Sequence, residues 1–225
     1  MLDQLTMFER LGLFVIRDFL DRSLCQQILA ESQQATEFQP AQIHKGQGQF
    51  AVDETIRKVQ ETQLSRSTIQ AVSQQLQVVK PKLEVRFQVK LVDCQGPSFL
   101  FYRAGGFYRP HKDRDFSKNH SHINQRRRVS TVIFINGETH RTKPDPSEIN
   151  TYGGALTFYG LCKNEKANRV GLSLNGQPGL FVAFDSGILH EVKSVMAGER
   201  LTVVSWFLGE EPQGSKESSD PQKMM

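Results

Sequence analysis

The triplet His111-Lys112-Asp113 sets an imidazole and a carboxylate two positions apart. On an extended strand, residues i and i+2 point to the same side, so the pair aims both groups at one point. A third ligand from an adjacent strand would complete one triangular face of an octahedron. That is the 2-His-1-carboxylate arrangement, which leaves three positions open and suits non-haem Fe(II). An HxD triplet also arises by chance, so the assignment needs its third group. His190 follows the turn Asp185-Ser186-Gly187 and opens a short apolar run. A histidine there can equally serve the core; beside the triplet it is the candidate third ligand. The remaining histidines, His44, His120, His122 and His140, fall in polar segments read as loops. His120 and His122 form an HxH pair that competes for metal. With no acidic third ligand evident nearby, they are read as a solvated loop.

Ten residues after His190 stands Arg200, at the head of the apolar run Leu201 to Leu208. An arginine there is either exposed at the strand end or points inward, and an inward guanidinium needs an acidic partner because an unpaired buried charge is costly. A dicarboxylate co-substrate fits, since a guanidinium grips a carboxylate by two parallel hydrogen bonds. Thr202 shares the strand face of Arg200 and adds a hydroxyl.

These residues must be carried by a sheet. A short strand is expected at Leu13 to Ile16, then a helix capped by Asp21 or Ser23 and running to about Ala35. The stretch from Phe38 to Gln60 reads as loop with a strand near Ile56. A second helix is expected from Ser65 to Val79, stopped by Pro81. From Leu83 the apolar residues Leu83, Val85, Phe87, Val89 and Leu91 alternate, as on a half-buried strand. Further short runs follow at 99–102, 129–135, 155–159, 170–174, 180–184, 189–192 and 201–208. Two helices followed by many short strands predict an α+β chain whose core is a rolled antiparallel sheet. Three segments are expected: helical support over 1–82, a β core over 83–208, and a disordered polar tail over 209–225. Arg114 to Gln125 and Gly137 to Tyr152 read as loops between strands.

Composition sets the outer bounds. The 225 residues suit one domain with an ordinary core, and 38% hydrophobic and 23% charged residues are typical of a soluble protein. A net charge of +4 is too small to argue for nucleic acid. The run Arg126-Arg127-Arg128 could touch phosphate but reads better as a solvated strand start. Cys25, Cys94 and Cys162 are odd in number and far apart, which predicts free thiols in a reducing compartment. No run approaches the ~18 apolar residues of a membrane span, and the N-terminus lacks a signal-peptide pattern. A cytoplasmic location is expected, with no membrane partner and unknown oligomeric state.

The stretch Tyr102-Arg103-Ala104-Gly105-Gly106-Phe107-Tyr108-Arg109-Pro110-His111-Lys112-Asp113 resembles the YxxGxxYxxHxD signature of prolyl 4-hydroxylase-type Fe(II)/2-oxoglutarate-dependent dioxygenases. The resemblance continues through Arg128 to Asn136, through Tyr152 to Phe158 (like that family's GGxxxF strand), and through His190 to the basic residue ten positions on. It implies a double-stranded β-helix, a jelly-roll or cupin-like barrel, with supporting N-terminal helices. It also implies Fe(2+), 2-oxoglutarate and O2, with L-ascorbate as a further cofactor. By position, His111, Asp113 and His190 would bind iron and Arg200 would hold the distal carboxylate of 2-oxoglutarate. Tyr102 matches a tyrosine that helps hold that carboxylate, and Tyr108 one that lines the pocket near the iron. No catalytic residue beyond the metal ligands is implied.

The expected activity is hydroxylation of a peptidyl (prolyl included) or small-molecule substrate, with succinate and CO2 as co-products. A non-catalytic barrel that senses metal or 2-oxoglutarate is one alternative. A nucleic-acid demethylase of the same superfamily is another, although some of those enzymes carry a second arginine where this chain has Trp206. A halogenase is disfavoured, because that resemblance needs a small residue in place of Asp113.

Overall fold

The computed structural model describes residues 3–44, 50–114, 122–139, 150–162 and 165–210. The N-terminal part supplies α1 (Gln4–Arg10), β1 (Phe14–Ile16), α2 (Arg22–Gln34), β2 (Phe38–Pro40), β3 (Ile43–His44), β4 (Phe50–Ala51), β5 (Arg57–Lys58), β6 (Gln60–Thr62) and the long helix α3 (Arg66–Phe87). Then come β7 (Asp93–Tyr102), β8 (Phe107–His111), α4 (His122–Arg126), β9 (Arg127–Phe134), β10 (Thr151–Gly153), β11 (Leu156–Phe158) and α5 (Glu165–Val170). The chain closes with β12 (Leu172–Leu174), β13 (Phe181–Asp185), β14 (His190–Val192), β15 (Val195–Gly198) and β16 (Arg200–Leu208).

Most strands assemble into two antiparallel sheets. The larger has the order β1-β13-β9-β16-β7-β6-β2 and the smaller β12-β11-β14-β8-β5. Period-two side-chain alternation explains how the larger sheet is buried on both faces. Phe99, Phe101, Ile133, Phe181, Leu201 and Val203 pack with Ile28 of α2 and Val72, Leu76 and Leu83 of α3. Their neighbours Leu100, Tyr102, Val132, Phe134, Val182 and Phe184 face the opposite way, against Leu156, Phe158, Leu174 and Val192 of the smaller sheet. The result is the expected double-stranded β-helix, with both predicted helices outside it.

Local signals set the helix starts. Asp21 caps α2 by accepting from the Leu24 amide, and Ser65 caps α3 by accepting from the Thr68 amide. Glu31 of α2 then accepts from the Ser65 and Thr68 hydroxyls, which ties the two helices together. These bonds outweigh burial and hold its carboxyl below the usual range.

The expected strand from Leu83 does not form, because α3 passes through Pro81 and continues to Phe87, ending at Gln88 in the left-handed conformation. A proline inside a helix removes one hydrogen bond and costs about 3 kcal/mol. Leu76, Val79 and Leu83 offset this by burying one stripe against the sheet, each worth about 2 kcal/mol. Val85 is 81% exposed, as a helix requires and a half-buried strand does not. The helix therefore crosses position 82, where the sequence reading divided support from core. The 38–60 stretch is another correction: rather than one strand near Ile56 it holds β2, β3, β4 and β5, and β6 begins at Gln60. Likewise Val170 closes α5 instead of opening a strand. Gly209 is buried and its amide donates to the Arg126 carbonyl, so the polar tail begins later than expected. Residues 211–225, along with loop positions 115–121 and 140–149, lie outside the described residues. No helix among the described residues is long and apolar enough to cross a membrane.

Candidate active site

β8 and β14 are antiparallel neighbours in the smaller sheet, with His111 directly opposite His190. Each imidazole Nδ1 meets the carbonyl two residues earlier, Arg109 at 2.8 Å for His111 and Ile188 at 2.9 Å for His190. A carbonyl only accepts, so Nδ1 carries the proton and the Nε2 lone pair faces the cavity. Both Nε2 atoms converge on Asp113, at 3.6 Å from Oδ1 for His111 and 3.5 Å from Oδ2 for His190. All three ligand atoms lie within 4.8 Å of one another. The donor set and its spacing fit one small divalent ion, whose bonds of ~2 Å would draw the three slightly together.

Asp113 is not on the strand with His111, as the triplet suggested. β8 ends at His111, and Asp113 lies in a bend beyond it. The next amide, of Arg114, donates to the Ser186 carbonyl, which draws the chain toward the turn that carries His190. The Arg114 guanidinium also pairs with Asp185 at 2.7 Å, so both parts of the ligand set share one turn.

Protonation states suit a metal. Burial, then the nearby His190, pull the His111 pKa down to about 3. Burial pushes the Asp113 carboxyl up. His190, His111 and Arg127 more than offset this and bring it to about 2. At neutral pH His111 is therefore a free base and Asp113 an anion, as ligands must be. Tyr108 stacks on His111 at 3.5 Å between ring centres, and burial raises its phenol to about 12.

Across the cavity, β16 places Arg200 opposite Tyr102 of β7. Arg200 is 2% exposed. Its Nη1 donates to the Thr202 hydroxyl at 3.1 Å, and its guanidinium carbon sits 5.0 Å from the Tyr102 ring centre and 5.2 Å from that of Phe134. Nη2 is buried with no hydrogen-bond partner, and among the described residues no carboxylate pairs with the group. Burial pulls its pKa below the usual arginine value. A buried cation left without an anion is the local signature expected where a carboxylate ligand binds. Room for the side chain comes from Gly154, where a Cβ would lie 2.9 Å from Arg200 Cδ. The adjacent Gly153 marks a register shift in the β10–β15 pair.

One cavity of about 300 Å³ is lined by all seven expected residues: His111, Asp113, His190, Arg200, Tyr102, Thr202 and Tyr108. It also takes in residues that the sequence did not single out. Arg57 stacks over Tyr108 at 4.7 Å. Ser130 lines the same wall and donates its hydroxyl to Ser186 Oγ at 2.9 Å. Arg127, expected in a solvated run, instead packs over Trp206 at 3.9 Å and donates twice to Gln95 Oε1, because β9 begins there and β16 covers it. His120 and His140 lie outside the described residues, and the side chains of His44 and His122 do too.

Residues 97–208 match the model of the 2OG-Fe(II) oxygenase superfamily. A search of curated protein sequences finds no match. Among solved structures, a Pseudomonas putida prolyl-4-hydroxylase is similar at 26% identity and TM-score 0.63, covering 88% of this chain and 92% of that one. A Trichoplax adhaerens prolyl hydroxylase, in complex with a hypoxia inducible factor oxygen degradation domain peptide fragment, shares the fold at 18% identity and TM-score 0.64, over 90% of this chain and 86% of that one. So does a viral collagen prolyl hydroxylase from Paramecium Bursaria Chlorella virus-1 in a 2OG complex, at 14% identity and TM-score 0.58, over 88% of this chain and 97% of that one. The converging His-Asp-His set, the buried arginine across the cavity and the matched strands agree, and the chain belongs to the 2OG-Fe(II) oxygenase superfamily as a dioxygenase of prolyl 4-hydroxylase type.

Proposed function

We propose that this protein hydroxylates a peptide, with a prolyl side chain as the first candidate target. In balanced form, the substrate C–H, O2 and 2-oxoglutarate give the C–OH product, succinate and CO2. The observation that carries this reading is the partnerless, buried Nη2 of Arg200 in the same cavity as the three converging ligands. His111, Asp113 and His190 would hold Fe(II), and Arg200, Thr202 and Tyr102 the distal carboxylate of 2-oxoglutarate. When bound, iron and 2-oxoglutarate supply the activation of O2, with L-ascorbate as an auxiliary reductant.

The chain's own share is positioning. The Nδ1 bonds to Arg109 and Ile188 lock both rings with Nε2 forward. Arg200 and Thr202 orient the co-substrate by one end, which limits how its other end meets the metal. Tyr108 and Leu156 line the cavity beside the ligands and exclude water. A peptide acceptor is favoured by the exposed Phe50 and Ile56 at the same cavity, since they offer apolar contact outside an enclosed small-molecule site. The test is incubation with Fe(II), 2-oxoglutarate and candidate proline-containing peptides. Succinate should form in step with a product heavier by one oxygen atom. Succinate formation that proceeds equally with His190→Ala would refute the assignment.

A further inference from the structure

The cavity carries more positive charge than its cofactors can neutralise. Among its described lining residues are Arg57, Lys112, Arg127 and Arg200, against a single carboxylate, Asp113. A divalent ion brings two positive charges and 2-oxoglutarate two negative ones. Loading the site therefore leaves the excess as it was. Arg200 is consumed by the co-substrate, whereas Arg57 and Arg127 are not.

These two arginines come from opposite walls. Arg57 lies on β5, the edge of the smaller sheet, opposite Tyr108 in register. Arg127 opens β9 in the larger sheet. Arg57 donates through Nη1 to the Gln42 carbonyl at 2.8 Å, and its Nε is buried without a partner. Arg127 spends Nε and Nη2 on one neutral oxygen, Gln95 Oε1. Among the described residues neither guanidinium is in an ion pair. Burial lowers the Arg127 pKa, the Asp113 carboxylate and Tyr108 raise it, and Arg57 lowers it again, so Asp113 is the one anion among the described lining residues that Arg127 feels, and it is committed to the metal. Holding two cations against that single committed carboxylate is costly without a further anion. Phe50, 55% exposed, and Ile56, 37% exposed, line the same cavity.

We infer that the acceptor is an acidic peptide segment, whose carboxylate beside the target residue docks between Arg57 and Arg127 while its apolar neighbours lie on Phe50 and Ile56. A guanidinium pair accepts a carboxylate by charge-assisted, directional bonds that a neutral amide cannot match. This rests on the reading of the cavity as an oxygenase site with a peptide substrate.

The test uses the full chain loaded with Mn(II) and 2-oxoglutarate, and two pools of random nonapeptides identical except that fixed positions hold glutamate in one and glutamine in the other. Peptides retained by the protein are identified by mass. The glutamate pool should be retained about 10-fold better, with the advantage shrinking as salt rises. Arg57→Gln and Arg127→Gln should each reduce that ratio, and Arg57→Lys should keep part of it. Melting temperatures check that each variant is folded; should Arg127→Gln fail to fold, the Arg57 pair alone decides. Equal retention of both pools, including retention of neither, overturns the inference. So does an undiminished glutamate advantage in Arg57→Gln. Calorimetry of 2-oxoglutarate binding, run in parallel, separates the two failures. Intact co-substrate binding with no glutamate preference sinks this inference alone, whereas absent co-substrate binding sinks the functional reading beneath it.

Discussion

Replacing Arg200 with methionine should move stability and co-substrate affinity in opposite directions. The ligand-free protein buries Nη2 with no partner, and an unsatisfied buried donor costs about 1–3 kcal/mol. Methionine fills similar volume without that penalty, and such replacements of buried charge are often neutral or stabilising. The cation contacts with the Tyr102 and Phe134 rings, worth about 0.5–2 kcal/mol, and the Nη1 bond to Thr202, worth about 1 kcal/mol, would be lost, against a desolvation penalty of several kcal/mol for the buried ion. The balance is a gain of about 1 kcal/mol, or roughly 2–4 °C in Tm for a chain of this size. With 2-oxoglutarate the sign reverses. Losing a charge-assisted two-point contact costs on the order of 2–4 kcal/mol, a Kd increase of about 30- to 1000-fold. Metal affinity should hold, because Arg200 is not among the converging ligand atoms. The assay is thermal unfolding without ligand, set beside calorimetric titration of 2-oxoglutarate into the Mn(II)-loaded protein. Arg200→Lys should fall between, keeping the charge and losing the fork. The reasoning fails if Arg200→Met lowers the ligand-free Tm by several degrees, or if 2-oxoglutarate binds it as tightly as the wild type.

The metal site gives three more expectations. His111→Ala, Asp113→Ala and His190→Ala should each abolish stoichiometric Mn(II) binding by electron paramagnetic resonance while His120→Ala and His122→Ala keep it; a reversal would reassign the histidines. Ser130→Ala removes the bond to the Ser186 hydroxyl, whose backbone carbonyl takes the Arg114 amide next to Asp113, and should weaken Mn(II) by about 10-fold, so an unchanged titration would show that the bond does not matter. Stability of the metal-free protein should fall with pH. His111 titrates near 3 when folded against 6.5 when free, so the unfolded chain binds the extra proton between those values and stability is lost as pH drops through that window. Asp113, at about 2 against 3.8, keeps its contribution above 3.8 and loses it below. Denaturant midpoints at pH 7 and 4.5 should differ less in His111→Gln than in wild type, and identical profiles would count against the shift.

What the sequence disclosed was short-range. The HxD spacing pointed two ligand types one way even though Asp113 sits past the strand end, because a bend just beyond a strand still returns to the same side. Arg200 stood out as a charge at the head of an apolar run, and the structure buries it on the inner face. Residues that depend on which strands become neighbours were illegible. Arg127 meets Trp206 and Gln95 only once β9, β16 and β7 pair, and no local pattern announces that. Ser130 looks like any strand serine until the Ser186 turn arrives beside it. The α3 error has a different origin. Leu83, Phe87 and Leu91 are four apart, a spacing that fits a helix and an alternating strand alike, and Pro81 tipped the choice wrongly. The strands over 38–62 are only two or three residues long and form because larger strands offer them an edge, which composition cannot reveal.

The division of the site between two sheets has a mechanical consequence. The three converging ligands hang from the smaller sheet, and Arg200, Thr202 and Tyr102 belong to the larger. A molecule that grips the metal with one end and the guanidinium with the other is a cross-brace between walls otherwise joined there by side-chain packing. Amide exchange in β8 and β14 should then slow together with exchange in β7 and β16, although the sheets share no ladder. A chelator too short to reach Arg200 would stiffen only one wall, so length alone would decide whether an inhibitor rigidifies half the molecule or all of it.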